Sequence, residues 1–111
     1  MLGPSGRGLA MRGDDGEIEF LPIESGWTRI GRSHAADIIL DDPSVSRRHA
    51  LIVSERPKAM RVLDDRSLNG VHVNGELVEW ARVADGDELT IGRYRLFALE
   101  APAQGFRHRS P

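Results

Sequence analysis

Cysteine is absent from the 111-residue chain, which excludes disulfides, thiolate nucleophiles and thiolate-ligated metals. Aromatic residues make up only 5%, so a core has to be built mainly from Val, Ile, Leu and Ala. No long apolar run occurs, so neither a transmembrane helix nor a secretory hydrophobic segment is expected, and the expected compartment is the cytoplasm. Lysine is represented by Lys58 alone, the other basic residues being arginines. An arginine presents phosphate or carboxylate with a planar, bidentate fork. The formal net charge of −2 argues against bulk electrostatic binding to nucleic acid or to an anionic membrane. Threonine occurs twice, at Thr28 and Thr90.

What remains has the size of one ordinary domain. Residues 1–16, rich in Gly and charge, show no apolar period and are expected to form a flexible lead. The stretch 101–111 reads as a flexible tail, leaving an ordered domain over 17–100. Inside it run "EIEFLPI", "GWTRIG", "DIIL", "HALIVS", "MRVLD", "VHV", "ELV", "DELTIG" and "RYRLFALE". Each is a short segment bounded by Gly, Pro, Asn, Asp or Ser, the pattern of many short strands. Asn74-Gly75 between "VHV" and "ELV" is the signal for a two-residue hairpin, because a type I′ turn needs φ > 0 twice. No segment keeps a 3.6 period over a dozen residues. The expected fold is all-β, a sandwich.

Chemistry gathers at the strand ends, above all in "PSVSRRHALI", residues 43–52. On a strand, Ser46 and His49 face opposite sides of the sheet, the wrong geometry for a nucleophile and its base, and no G-x-S-x-G elbow is present. The four histidines are scattered without a metal-binding spacing; no metal or other cofactor is expected. His49 reads as a structural residue tying two loops together. An anion pocket suits the groups better. Gly31-Arg32 ends one strand, where Gly permits a close approach; Ser46 offers a hydroxyl and Arg47 a guanidinium. Such donors suit phosphate, which presents three strong acceptor oxygens. Alternation separates Arg48 from Arg47 and turns it away from that pocket.

"GRS" (31–33), "SRRH" (46–49), "SLNG" (67–70), "NG" (74–75) and "DGDELTIGRYRL" (85–96), in that order and each at a strand end, resemble the forkhead-associated (FHA) domain over about 17–100. The resemblance implies a sandwich of two antiparallel or mixed β-sheets with about eleven strands, and a non-catalytic module that binds phosphothreonine peptides downstream of Ser/Thr kinases. By the same resemblance Arg32 pairs with the phosphate, Ser46 donates its hydroxyl to it, and Arg47 adds backbone or guanidinium contacts. Asn69 hydrogen-bonds the peptide main chain, beside Leu68, while Gly31, His49 and Gly70 hold the loops.

Three departures from the family stand out. Leu68 replaces a hydroxyl residue often found before the Asn. Val71 stands where Thr is common, and Ser44 where some members have Arg, which shifts the search for a cation facing an acidic ligand residue to Arg66 or Arg93. Neither flanking segment contains a threonine that a kinase could modify, so the phosphothreonine is expected on another molecule or another part of a longer chain. The alternatives are an FHA-like domain that binds its partner independently of phosphate and an arginine-lined nucleic-acid binder. A monomer is expected, since the sheet edges are short and interrupted by charge.

Overall fold

The computed structural model describes residues 2–102; the part of the expected tail beyond 102 lies outside them. Among the described residues eleven strands and no helix form two stacked sheets: β1 (Arg7–Arg12), β2 (Ile18–Pro22), β3 (Gly26–Gly31), β4 (Ile38–Ile39), β5 (Ala50–Ser54), β6 (Met60–Asp64), β7 (Val71–Val73), β8 (Glu76–Val78), β9 (Trp80–Val83), β10 (Glu88–Ile91) and β11 (Tyr94–Glu100). One sheet has the order β2-β1-β11-β10-β7-β8, the other β4-β3-β5-β6-β9. Every pairing is antiparallel except β3 with β4. The all-β sandwich expected from the sequence is therefore the fold.

Alternation along the strands builds the core. Leu9 and Met11 of β1, Leu89 and Ile91 of β10, and Leu96 and Ala98 of β11 point inward from the first sheet. Ile52, Met60, Val62 and Val83 meet them from the second. Each fully buried Leu, Ile or Met contributes roughly 1.5–3 kcal/mol relative to exposure. At the β7–β8 hairpin Asn74 has φ 51° and Gly75 φ 86°, the two left-handed residues that a type I′ turn demands.

The boundary at residue 17 is corrected by the structure. β1 lies inside the stretch read as a flexible lead, and it sits between β2 and β11 with registers Leu9↔Leu21 and Leu9↔Ala98. Its first residue, Arg7, is buried: Nη1 donates to Ser54 Oγ at 3.0 Å and Nη2 pairs with Glu100 Oε2 at 3.1 Å. Two apolar side chains separated by Ala and flanked by glycines gave too short a pattern to register as a strand. β9 was missed for a similar reason, its four residues showing only one buried apolar side chain, Val83.

Ala101 N donates to Gly6 O at 2.7 Å, so the two ends of the sandwich's chain lie side by side at the Glu100 end of β11. The β10–β11 turn, at the opposite end of that strand, belongs to the loop cluster described next.

Candidate functional site

Four connections meet at one end of the sandwich: 32–37 after β3, 40–49 between β4 and β5, 65–70 between β6 and β7, and the Gly92-Arg93 turn. Backbone donors stitch the first two together, Arg32 N to Ser46 O at 3.0 Å and Ser33 N to Arg47 O at 3.2 Å. Leu68 N donates to Ser46 Oγ at 2.9 Å, and Asn69 Nδ2 to Ser44 O at 2.9 Å. Arg93 N donates to Ser44 Oγ at 2.9 Å.

"SRRH" is not the start of a strand: β5 begins at Ala50, and the chain turns through 46–49. The turn brings Ser46 and His49 together, but through the backbone. Ser46 N–H donates to His49 Nδ1 at 3.0 Å, and Nε2 lies 2.8 Å from Gly70 O. Since Nδ1 accepts, Nε2 must carry the proton and donate to the carbonyl. Both ring nitrogens of a fully buried imidazole are thus used to hold two loops, and none is left to activate the Ser46 hydroxyl. No three metal-ligating side chains converge among the described residues.

The glycines of the site have separate physical reasons. A Cβ on Gly31 would lie 2.1 Å from Arg47 O and 2.9 Å from Arg47 C, so only Gly lets β3 approach the 46–49 turn. Gly70 has φ 83°, a left-handed conformation that other residues adopt at a cost. Its N–H donates to Ser67 Oγ at 2.8 Å, and Ser67 N to Asp64 Oδ1 at 3.0 Å. That local net presents Leu68, 89% exposed, and the exposed Asn69 at the rim.

Substituting Gly31 by Ala is expected to destabilise the fold by about 2–4 kcal/mol, from overpacking against a carbonyl plus strained loop hydrogen bonds. A chemical-denaturation midpoint that falls with an unchanged slope measures it. A wild-type midpoint would refute the close-approach argument.

Arg32 Nε donates to Val45 O at 3.0 Å, which fixes the guanidinium while leaving both terminal nitrogens free of hydrogen bonds within the described residues. Arg32, Ser33, His34, Asp41 and Arg47 line a cleft of about 270 Å³. Ser46 Oγ already accepts from Leu68, so its hydrogen is free to donate outward. Arg47 is exposed at the cleft wall. Arg48 turns aside onto Asp65, Nε to Oδ2 at 3.1 Å. Asn69 has spent one amide hydrogen on Ser44 O and retains its second hydrogen and its carbonyl oxygen. Of the groups expected from the sequence to act together, Arg32 and Arg47 line that cleft, Ser46 adjoins Arg47 on the turn, and Leu68 and Asn69 are tied to the same loop through Ser46 Oγ and Ser44 O. Val45, whose carbonyl orients Arg32, carried no signal because any residue supplies that group.

Arg93 does not reach toward this rim. Its Nε holds Asp42 Oδ1 at 2.8 Å and Nη2 holds Asp14 Oδ1 at 3.1 Å, and the guanidinium lies 4.5 Å from the Tyr94 ring centroid. The Ser44 hydroxyl first, and then Arg93, hold the Asp42 carboxyl below the usual carboxylate value, at about 2. This cluster fastens the β10–β11 turn to the 40–49 loop. Of the two cations considered for an acidic ligand residue, Arg93 is thereby committed to structure, while Arg66 is exposed with φ 60°.

Comparison with known proteins agrees with this geometry. The FHA domain family model matches residues 28–92. The chain is 43% identical over 104 residues to the glycogen accumulation regulator GarA of Mycobacterium tuberculosis, covering 92% of this chain and 63% of that protein. It is 39% identical over 101 residues to the oxoglutarate dehydrogenase inhibitor of Corynebacterium diphtheriae, covering 89% of this chain and 69% of that one. The chain thus spans under two thirds of the regulator's length. Among solved structures, one described as a structural and functional analysis of phosphothreonine-dependent FHA domain interactions superposes with a TM-score of 0.77. It is 29% identical, over 87% of this chain and 98% of the other. Mycobacterium tuberculosis EmbR in complex with a low-affinity phosphopeptide gives 0.71 at 33% identity, over 88% of this chain and 26% of EmbR. The chain belongs to the FHA domain family.

Proposed function

We propose that this chain is a non-catalytic module that reads phosphothreonine on a partner protein and so reports the action of a Ser/Thr kinase. The observation that carries the reading is Arg32, held by Val45 O beside a cleft that Ser33, His34, Asp41 and Arg47 also line, with the Ser46 hydroxyl on the adjoining turn. A phosphate monoester brings about −1.5 to −2 charges and three acceptor oxygens, which a guanidinium fork and two hydroxyls match. The retained amide groups of Asn69 would then clamp the ligand main chain and set its direction. Gly31, His49 and Gly70 act on the ligand only through the loops they hold.

Two relatives support the role at a coarser level, one named a regulator and the other an inhibitor. By analogy the module would work in the cytoplasm by binding rather than by catalysis. It would need no metal or cofactor, and neither nucleic acid nor membrane is its target.

The test is fluorescence anisotropy of an oriented phosphothreonine peptide library beside its phosphoserine and unphosphorylated forms. Binding confined to phosphothreonine supports the reading, and indifference to the phosphate sinks it. One observation favours a second reading, phosphate-independent binding of a partner: Leu68 places an apolar side chain, almost fully exposed, where a hydroxyl is common in the family. That reading requires partner binding that persists without the phosphate.

A further inference from the structure

A second cleft opens on the other side of the wall formed by Ser33 and Arg47. It lies at the mouth of the five-stranded sheet, encloses about 290 Å³, and is rimmed by Arg29, Arg47 and Arg48 with Asp65 as its one carboxylate. The rest of its lining comes from Ser33, Ala35 and Ala36, and from Ile30 and Ala50, both fully buried members of the core. Asp65 is already engaged by Arg48 through both oxygens, at 3.1 and 3.4 Å. Arg29 and Arg47 form no ion pair among the described residues, and Arg29 is exposed on the outer face of β3. Two arginines without an ion pair therefore line one small pocket. Such a pair suits an anionic side chain.

Arg47 and Ser33 line both clefts, so a ligand seated in the first lies within a few residues of the second. Residues two apart on an extended chain point to the same side and are separated by about 6.5 Å. We infer that the Arg29–Arg47 cleft is a second anion subsite, which takes an acidic or second phosphorylated side chain of the same peptide that places its phosphothreonine at Arg32. The inference rests on the proposed function and adds to it the class of ligand, a phosphopeptide carrying a second negative charge near the first. Arg29 sets specificity there without touching the phosphothreonine.

The experiment uses fluorescein-labelled peptides with one phosphothreonine and otherwise degenerate positions free of acids. Each position from three before to four after the phosphothreonine is fixed in turn as Ala, Glu or phosphoserine. Anisotropy is read with the full chain as wild type, Arg29→Glu and Arg29→Lys. At one flanking position Glu or phosphoserine is expected to tighten wild-type binding roughly 3- to 20-fold, as a charge-assisted contact discounted for exposure. Arg29→Glu should erase that gain while the Ala reference peptide still binds within about twofold, and Arg29→Lys should keep most of it. A gain with Glu identifies an acidic side chain as sufficient; a gain with phosphoserine alone identifies a doubly phosphorylated target. Absence of a gain at every position, or a gain that survives Arg29→Glu, overturns the subsite while leaving the phosphothreonine pocket standing. If the Ala reference fails to bind wild type, the proposed function fails and the subsite falls with it.

Discussion

A chain that starts at residue 17 is expected not to fold. The cut looks harmless in the sequence, because residues 1–16 are rich in Gly and charge. In the structure it removes β1, which lies between β2 and β11, together with Leu9, fully buried, and Met11. Burial of those two side chains alone stabilises by about 3–6 kcal/mol. The loss also takes the hydrogen bonds of Arg7 to Ser54 and Glu100. β2 has no partner other than β1 in the sheet order, so its pairing is lost as well. Against a total stability of about 5–15 kcal/mol for a domain of this size, the deficit is comparable with the whole. Far-UV circular dichroism and a thermal melt compare the shortened chain with the intact one. A cooperative transition retained in the shortened chain would show that β1 is dispensable.

Replacing Arg32 by Ala is expected to weaken phosphothreonine peptide binding by about 2–5 kcal/mol, or roughly 30-fold to several thousand-fold. The substitution removes the forked donor. The backbone N–H of Arg32 still donates to Ser46 O, so the β3 end and the 46–49 turn stay joined. The Val45 carbonyl that oriented the guanidinium loses one donor at a part-buried site. Stability should therefore change by less than about 1 kcal/mol, which separates a binding defect from a folding defect. Isothermal titration with one phosphothreonine peptide, run beside a thermal melt, reads both quantities. Undiminished affinity in a folded variant would remove Arg32 from the site.

The sandwich was legible where turn chemistry and alternation agreed. "VHVNGELV" announces β7, its turn and β8 in eight residues, because the left-handed φ pair has few residues that supply it cheaply. β10 and β11 read as clearly, with inward Leu89, Ile91 and Leu96 at period two. β1 did not, since Leu9 and Met11 are meaningful only beside the strands that cover them, and that pairing is made with β11 almost ninety residues later in the chain. The site was legible as residue types in order, but the physical role of each came from contacts the sequence cannot display. Ser46 Oγ accepts from Leu68 N, a contact that leaves its own hydrogen free to donate. Arg93 looks like an exposed strand residue until Asp42 and Asp14 are seen on either side of it. The alternation that separates Arg47 from Arg48 was the wrong argument, since a turn and not a strand runs through them. Arg48 is kept off the Arg32 cleft by its pairing with Asp65, while both arginines line the neighbouring cleft.

The backbone bond from Ala101 to Gly6 gives the module a single handle. Both ends of the domain leave from the edge of the sandwich remote from its recognition loops, about 20 Å away along β11. Any tether attached there, whether a flanking domain or an immobilising tag, therefore carries the loops outward like the head of a probe on a stem. Such an arrangement lets the same reader be mounted in different protein contexts without remodelling the surface that meets the ligand. A label at either end should leave affinity for a phosphopeptide untouched.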